Sequence, residues 1–219
     1  MYKFILSLIL IIATVALFNP PPLSKAEVLY FGDSKFHFGL NVDGNIAHDG
    51  GGIYYSLEAL KVILRHYEPR MVVVQLMDYE NEKRRGPLAR WQAKLQVSID
   101  GWRKWITRAD STPPKFDSYM EVGGDRPKVN KKPTMISRSE ITRLDKAMDE
   151  FNLLNYGIPL VQVMMPLRSG ATNVPDYIFH GAIFVDLSSL PIPYDAFYDE
   201  EHLNAKGAEI VTEYLLSKL

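Results

Sequence analysis

Short strand-like runs alternate along the chain with amphipathic helical stretches, and that alternation leaves few folds open. The runs are Val28 to Phe31, Asn45 to Ala47, Met71 to Leu76, Pro159 to Met164 and Ala182 to Leu187. A helix is predicted from about Ile53 to His66, with Leu57, Leu60 and Leu64 on one face, and another from Ser139 to Asn155. Ser137 or Ser139 can cap the second, and Tyr156-Gly157 can end it. A last helix starts after Asn204, a favourable N-cap, and turns Ala208, Val211 and Leu215 inward. Mostly apolar strands separated by helices call for an α/β domain, with a parallel sheet of about five strands covered on both faces. In such domains the working residues gather at the carboxyl ends of the strands.

The chain has 219 residues, of which 47% are hydrophobic and 23% charged, as expected for one domain with a full core. A net charge of −1 makes the molecule as a whole a poor holder of nucleic acid. With no cysteine, disulfides, thiolate catalysis and cysteine-ligated zinc are excluded.

The first 26 residues stand apart. Phe4 to Phe18 is apolar apart from Ser7 and Thr14, and Pro20-Pro21-Pro22 and Ser24-Lys25-Ala26 follow. A run of 15 residues suits the apolar region of a secretory signal better than a membrane span, which needs roughly 20. Ser24 and Ala26 are the small residues of a cut before Glu27. The first reading is a signal peptide and the second an uncleaved membrane anchor; both place residues 27–219 outside the cytoplasm.

Residues 78–138 are too long for an ordinary connection after the third strand and read as an insertion or lid. Leu88, Trp91, Leu95, Ile99, Trp102 and Ile106 recur three or four apart, which predicts a helix with one apolar stripe ended by Pro113-Pro114. Gly123-Gly124 and the lysines at 128, 131 and 132 read as a loop. From Tyr79 to Lys146 there are 16 Lys and Arg against 9 Asp and Glu. A lid of this kind would attract anionic substrate and stack sugar rings. Trp91 and Trp102 lie on the stripe and read as packing, whereas Trp105 lies off it and is the better ligand contact.

The chemistry concentrates at the two ends of residues 27–219. Val28-Leu29-Tyr30-Phe31 runs into Gly32-Asp33-Ser34, a strand delivering a hydroxyl to the sheet edge. Near the other end, Asp199 precedes His202 by three residues, just ahead of the last helix. A serine hydroxyl needs a base to take its proton, and the base needs a third group to fix its tautomer. Ser34 as nucleophile, His202 as base and Asp199 as orienting acid fill those roles, with Glu200 or Glu201 as alternatives to Asp199. Asp33 reads as a residue that holds the turn, and His37 and His48 as structural, with no metal-ligand spacing among the histidines. For the developing oxyanion, the Ser34 N–H is one donor and a Gly50 N–H, within Asp49-Gly50-Gly51-Gly52, a second.

These three blocks, Gly32-Asp33-Ser34, the glycines about Gly50, and Asp199-x-x-His202, resemble those of the SGNH, or GDSL, hydrolase superfamily, over Val28 to the C-terminus. The resemblance implies a flavodoxin-like three-layer fold and ester hydrolysis or acyl transfer without a metal or other cofactor. It also implies Ser34, His202 and Asp199 as the triad and Gly50 as oxyanion donor. One block departs from the pattern: where the family has Gly-x-Asn-Asp, this chain reads Gln75-Leu76-Met77-Asp78-Tyr79-Glu80-Asn81, and ungapped Tyr79 falls on the asparagine. The whole is similar to divergent members that add or remove O-acetyl groups on bacterial envelope polysaccharides and exopolysaccharides. It implies an acylated carbohydrate as substrate and a membrane acyl-transfer protein as partner if the reaction is a transfer. A lipolytic or small-ester hydrolase, and an idle domain that binds polysaccharide or scaffolds an export complex, are the other readings open at this point.

Overall fold

The computed structural model describes residues 2–48, 51–75, 88–107, 138–169 and 177–219. Strands β1 (Val28–Phe31), β2 (Met71–Gln75), β3 (Leu160–Met164) and β4 (Ile183–Asp186) form one four-stranded sheet in the order β1-β2-β3-β4, every neighbouring pair parallel. Helices α1 (Tyr2–Phe18), α2 (Ser34–Gly39), α3 (Gly52–Leu64), α4 (Ala89–Thr107), α5 (Arg138–Leu154) and α6 (Ala205–Leu216) complete the described elements, with a 3-10 turn at Tyr194–Ala196.

Successive residues of a strand point to opposite faces, and two apolar clusters follow from that alternation. Leu29, Phe31, Val72, Val74 and Leu160 pack on one face against α3, α4 and α5. Tyr30, Val73, Val161 and Val163 pack on the other against α2 and α6. Strands β1, β2 and β3 are therefore covered by helices on both sides, while β4 is largely exposed among the described residues.

The expected fifth strand, Asn45 to Ala47, forms only an isolated parallel bridge, from Asn45 to Tyr30 on the outer edge of β1. Tyr30 donates to Gly44 O at 3.0 Å and Ile46 to Tyr30 O at 2.8 Å. One further bond, from His48 N to Gly32 O at 3.3 Å, follows before β1 turns off at Gly32, and the Asn45 side chain is committed elsewhere. Its Nδ2 donates to Phe36 O and Leu40 O at the end of α2, and its Oδ1 accepts from Ala47 N. With this segment on one side of β1 and β2 on the other, consecutive connections leave β1 in opposite directions, and the crevice between them opens at the strand carboxyl ends.

Helix α4 lies within the expected insertion but faces the other way round. Its buried residues are Ala89, Ala93, Val97, Ser98, Asp100 and Gly101, while Trp91, Ile99, Trp105 and Ile106 of the predicted region are exposed. Small side chains let α4 approach α3 closely, and that approach decides the orientation over the larger but outward-facing stripe. Glu58 on α3 and Glu150 on α5 both bind Arg90 of α4, at 3.1 and 2.9 Å, joining the three helices. The expected Pro113-Pro114 stop and the Gly123-Gly124 loop lie outside the described residues.

Phe151 of α5 is fully buried and meets Phe31 and Phe179 at 5.6 Å between ring centroids. Phe151→Ala should cost about 3–5 kcal/mol, with a cavity left between β1 and α5, and lower the thermal midpoint by about 6–20 °C; calorimetry reads this directly.

Candidate active site

The turn after β1 is held by a side chain from the next strand. Because Phe31 pairs with Val74, Gln75 stands level with Gly32. Its Oε1 accepts the N–H groups of Asp33 and Phe36, both at 3.2 Å. A Cβ on residue 32 would lie 2.6 Å from that oxygen and 2.9 Å from Phe36 Cβ, so only glycine fits. Asp33 is the N-cap of α2, its Oδ1 accepting from Lys35 N at 2.8 Å. Ser34 is then the first helical residue, and its N–H has no helix carbonyl to bond.

The second half of the site is a closed loop before α6. Phe197 and Leu203 form an antiparallel bridge, and Tyr198 N donates to His202 O at 2.8 Å. Asn204 caps α6 through Gly207 N and donates to Asp195 O, fixing the loop to the 3-10 turn. Inside the loop, Asp199 Oδ1 accepts the backbone N–H groups of Glu201 and His202, each at 2.9 Å.

Three side chains expected to act together meet here. His202 Nδ1 lies 2.9 and 3.0 Å from the two Asp199 oxygens, and His202 Nε2 lies 2.8 Å from Ser34 Oγ. A carboxylate can only accept, so Nδ1 carries the proton and Nε2 is left to accept from Ser34 Oγ–H. Partial burial pushes the Asp199 carboxyl up, but bonds from the His202 ring and the Glu201 and His202 N–H groups outweigh it and hold it at about 2. Asp199 therefore stays ionised opposite the imidazole at any working pH.

Of the acids that could orient His202, Asp199 is in contact with its Nδ1. Glu201 reaches toward Lys35 Nζ at 4.0 Å, with half of its side chain in solvent, and the Glu200 carbonyl accepts from Arg168 N. His37 Nδ1 bonds Ala47 O at 2.9 Å. His48 stacks on Tyr55 at 4.7 Å, and its backbone N–H donates to Gly32 O, next to the Ser34 turn. Its Nε2 lies 3.6 Å from Asp100, a buried carboxylate that also accepts from Tyr55 Oη and Gln96. Sequence reasoning missed Asp100; Gln96, Asp100 and Arg103 stand at helical spacing, but among so many other polar residues of this helix the spacing alone does not single Asp100 out. Gly50 lies outside the described residues, as do Tyr79 and Asn81. Among the described residues, no group of His, Asp and Glu is arranged to hold a metal ion.

No family model, curated protein or solved structure matches the chain.

Two outcomes are expected. Gln75→Leu leaves one buried and one partly buried N–H group without their acceptor and should lower stability by about 1–3 kcal/mol in urea unfolding. Asp199 is depressed from 3.8 to about 2, so its contribution to stability is present above about pH 4 and is lost as pH falls through about 2. The stability gap between the wild type and Asp199→Asn should shrink across that window.

Proposed function

We propose that the protein is an extracytoplasmic SGNH-type serine esterase or O-acyltransferase, acting on ester groups, O-acetyl above all, of a polysaccharide. The observation that carries this reading is the unbroken chain of hydrogen bonds from Ser34 Oγ through the His202 ring to Asp199, at the carboxyl end of β1. The parallel α/β sheet with helices on both faces is the setting in which a flavodoxin-like three-layer SGNH fold would present it.

In this mechanism Ser34 Oγ attacks the ester carbonyl carbon as its proton passes to His202 Nε2. The imidazolium so formed is balanced by ionised Asp199, which keeps the ring in place. The carbonyl oxygen becomes an oxyanion facing the Ser34 N–H at the start of α2, with the Gly50 N–H as the second donor. Collapse breaks the bond to the sugar oxygen, which leaves with the proton from His202, and the acyl group remains on Ser34. Water or a second sugar hydroxyl then attacks the acyl carbon while His202 takes its proton, releasing acid in the first case and a new ester in the second. Ser34 recovers its proton from His202 in either case.

Treatment with a fluorophosphonate probe, read by intact mass, should give a single adduct on Ser34. Ser34→Ala and His202→Ala should abolish it, and Asp199→Asn should lower turnover of an acetylated sugar on the order of 10³–10⁴-fold by favouring the wrong tautomer. Failure of the folded wild type to label, under conditions that label a control esterase, would sink the mechanism.

A further inference from the structure

The cut expected before Glu27 would run through the body of the domain. Leu23 is 3% exposed and belongs to the apolar cluster beneath α3 and α5. Lys104 of α4 donates to Leu23 O at 3.2 Å, from a position buried enough that desolvation lowers its pKa. At Gly101 a Cβ would sit 2.6 Å from Pro21 O and 3.3 Å from Pro20 Cβ, so the proline segment lies directly on the backbone of α4. Trp102 Nε1 donates to Ala16 O at 2.8 Å, and Tyr67 Oη donates to Ala26 O. Residues 20–26 are thus built into the domain, which a segment destined for removal has no reason to be.

Helix α1, which these contacts hold, is apolar on every side. Its large side chains from Tyr2 to Val15 are 46–80% exposed. A protein partner or a second copy would cover a stripe and leave the rest facing water, whereas lipid covers the whole circumference. The base of the helix has the composition of a membrane interface. Trp102 and Trp105 stack edge to face at 5.6 Å beside it, Trp105 and Ile106 are exposed, and Arg103 between them has most of its side chain in solvent. At 17 residues α1 is about 26 Å long, a little under the roughly 30 Å of a bilayer core. No helix among the described residues is long and apolar enough to cross a membrane.

We infer that the N-terminal segment stays on the protein, that α1 is embedded in a lipid bilayer, and that the Trp102–Ile106 end of α4 rests on the bilayer surface. Pro20 to Leu23 fasten the domain to this anchor, so the α4 side of the sheet faces the membrane. Lipid embedding concerns the surroundings of α1 and does not require a complete span.

The full chain, expressed with its own N-terminus and a C-terminal tag, is fractionated and its mass measured. Retention of residues 1–26 in a membrane fraction that resists carbonate and yields to detergent is expected; a soluble product beginning at Glu27 overturns the inference. A variant lacking residues 4–15 but keeping Ala16 to Leu23 should leave the membrane fraction with its thermal midpoint unchanged, and its persistence there would count against α1 as the anchor. Leu23→Ala in the full chain should lower the midpoint by about 5 °C or more, and no shift would refute the fastening. In vesicles of phosphatidylcholine and phosphatidylglycerol with bromine near the headgroup, tryptophan emission should be quenched, less so in Trp105→Phe. Equal quenching in both proteins would remove α4 from the surface.

Discussion

A single carboxamide holds the turn on which the site depends. Gln75 is the last residue of β2, and the parallel register with β1 sets it level with Gly32. From there its oxygen accepts two N–H groups, fixing the direction in which the chain leaves β1 and hence where Ser34 begins α2. A buried amide costs free energy unless it is bonded, and here the bonds define a geometry. The next strand repeats the device. Gln162, fully buried in β3, donates to Tyr177 O and accepts from Phe179 N, tying the approach to β4 to the sheet.

Most of the sheet was legible because strands buried on both faces have no reason to alternate, so β1, β2 and β3 stand out as apolar runs close to their observed bounds; β4 also reads as an apolar run, although its residues are exposed or half-buried. Asn45 to Ala47 was harder to read, since its partner is one residue of β1 and its asparagine serves α2. The face of α4 was misjudged for a related reason. Side-chain hydrophobicity ranks Trp and Ile above Ala and Gly, yet helix against helix the smaller residues win by letting the backbones close in. Position in space, which no window along the sequence contains, decided both.

The site shows the same division. Asp199 and His202 were legible because they are three residues apart, and a tight loop makes neighbours of such pairs. Gly32-Asp33-Ser34 was legible as strand-to-helix punctuation, with Asp33 supplying the cap. The role of Gln75 was not, because its partners lie 39 and 42 residues away and only the pairing of β1 with β2 brings them together. Against the resemblance, Gln75 stood out only as the start of a departing block. In the fold it is the residue that shapes the turn.

The closed loop between Phe197 and Leu203 has a mechanical consequence. Asp199 and His202 share one bonded loop of backbone, so bending of the sheet or rocking of α6 carries them together and leaves their mutual alignment intact. The contact from His202 to Ser34 spans 168 residues of chain and joins two segments whose helices, α2 and α6, pack in one apolar cluster. That packing sets the separation of Ser34 from His202, and a shift of a single ångström between the two helices would take the hydroxyl out of hydrogen-bond reach of the ring.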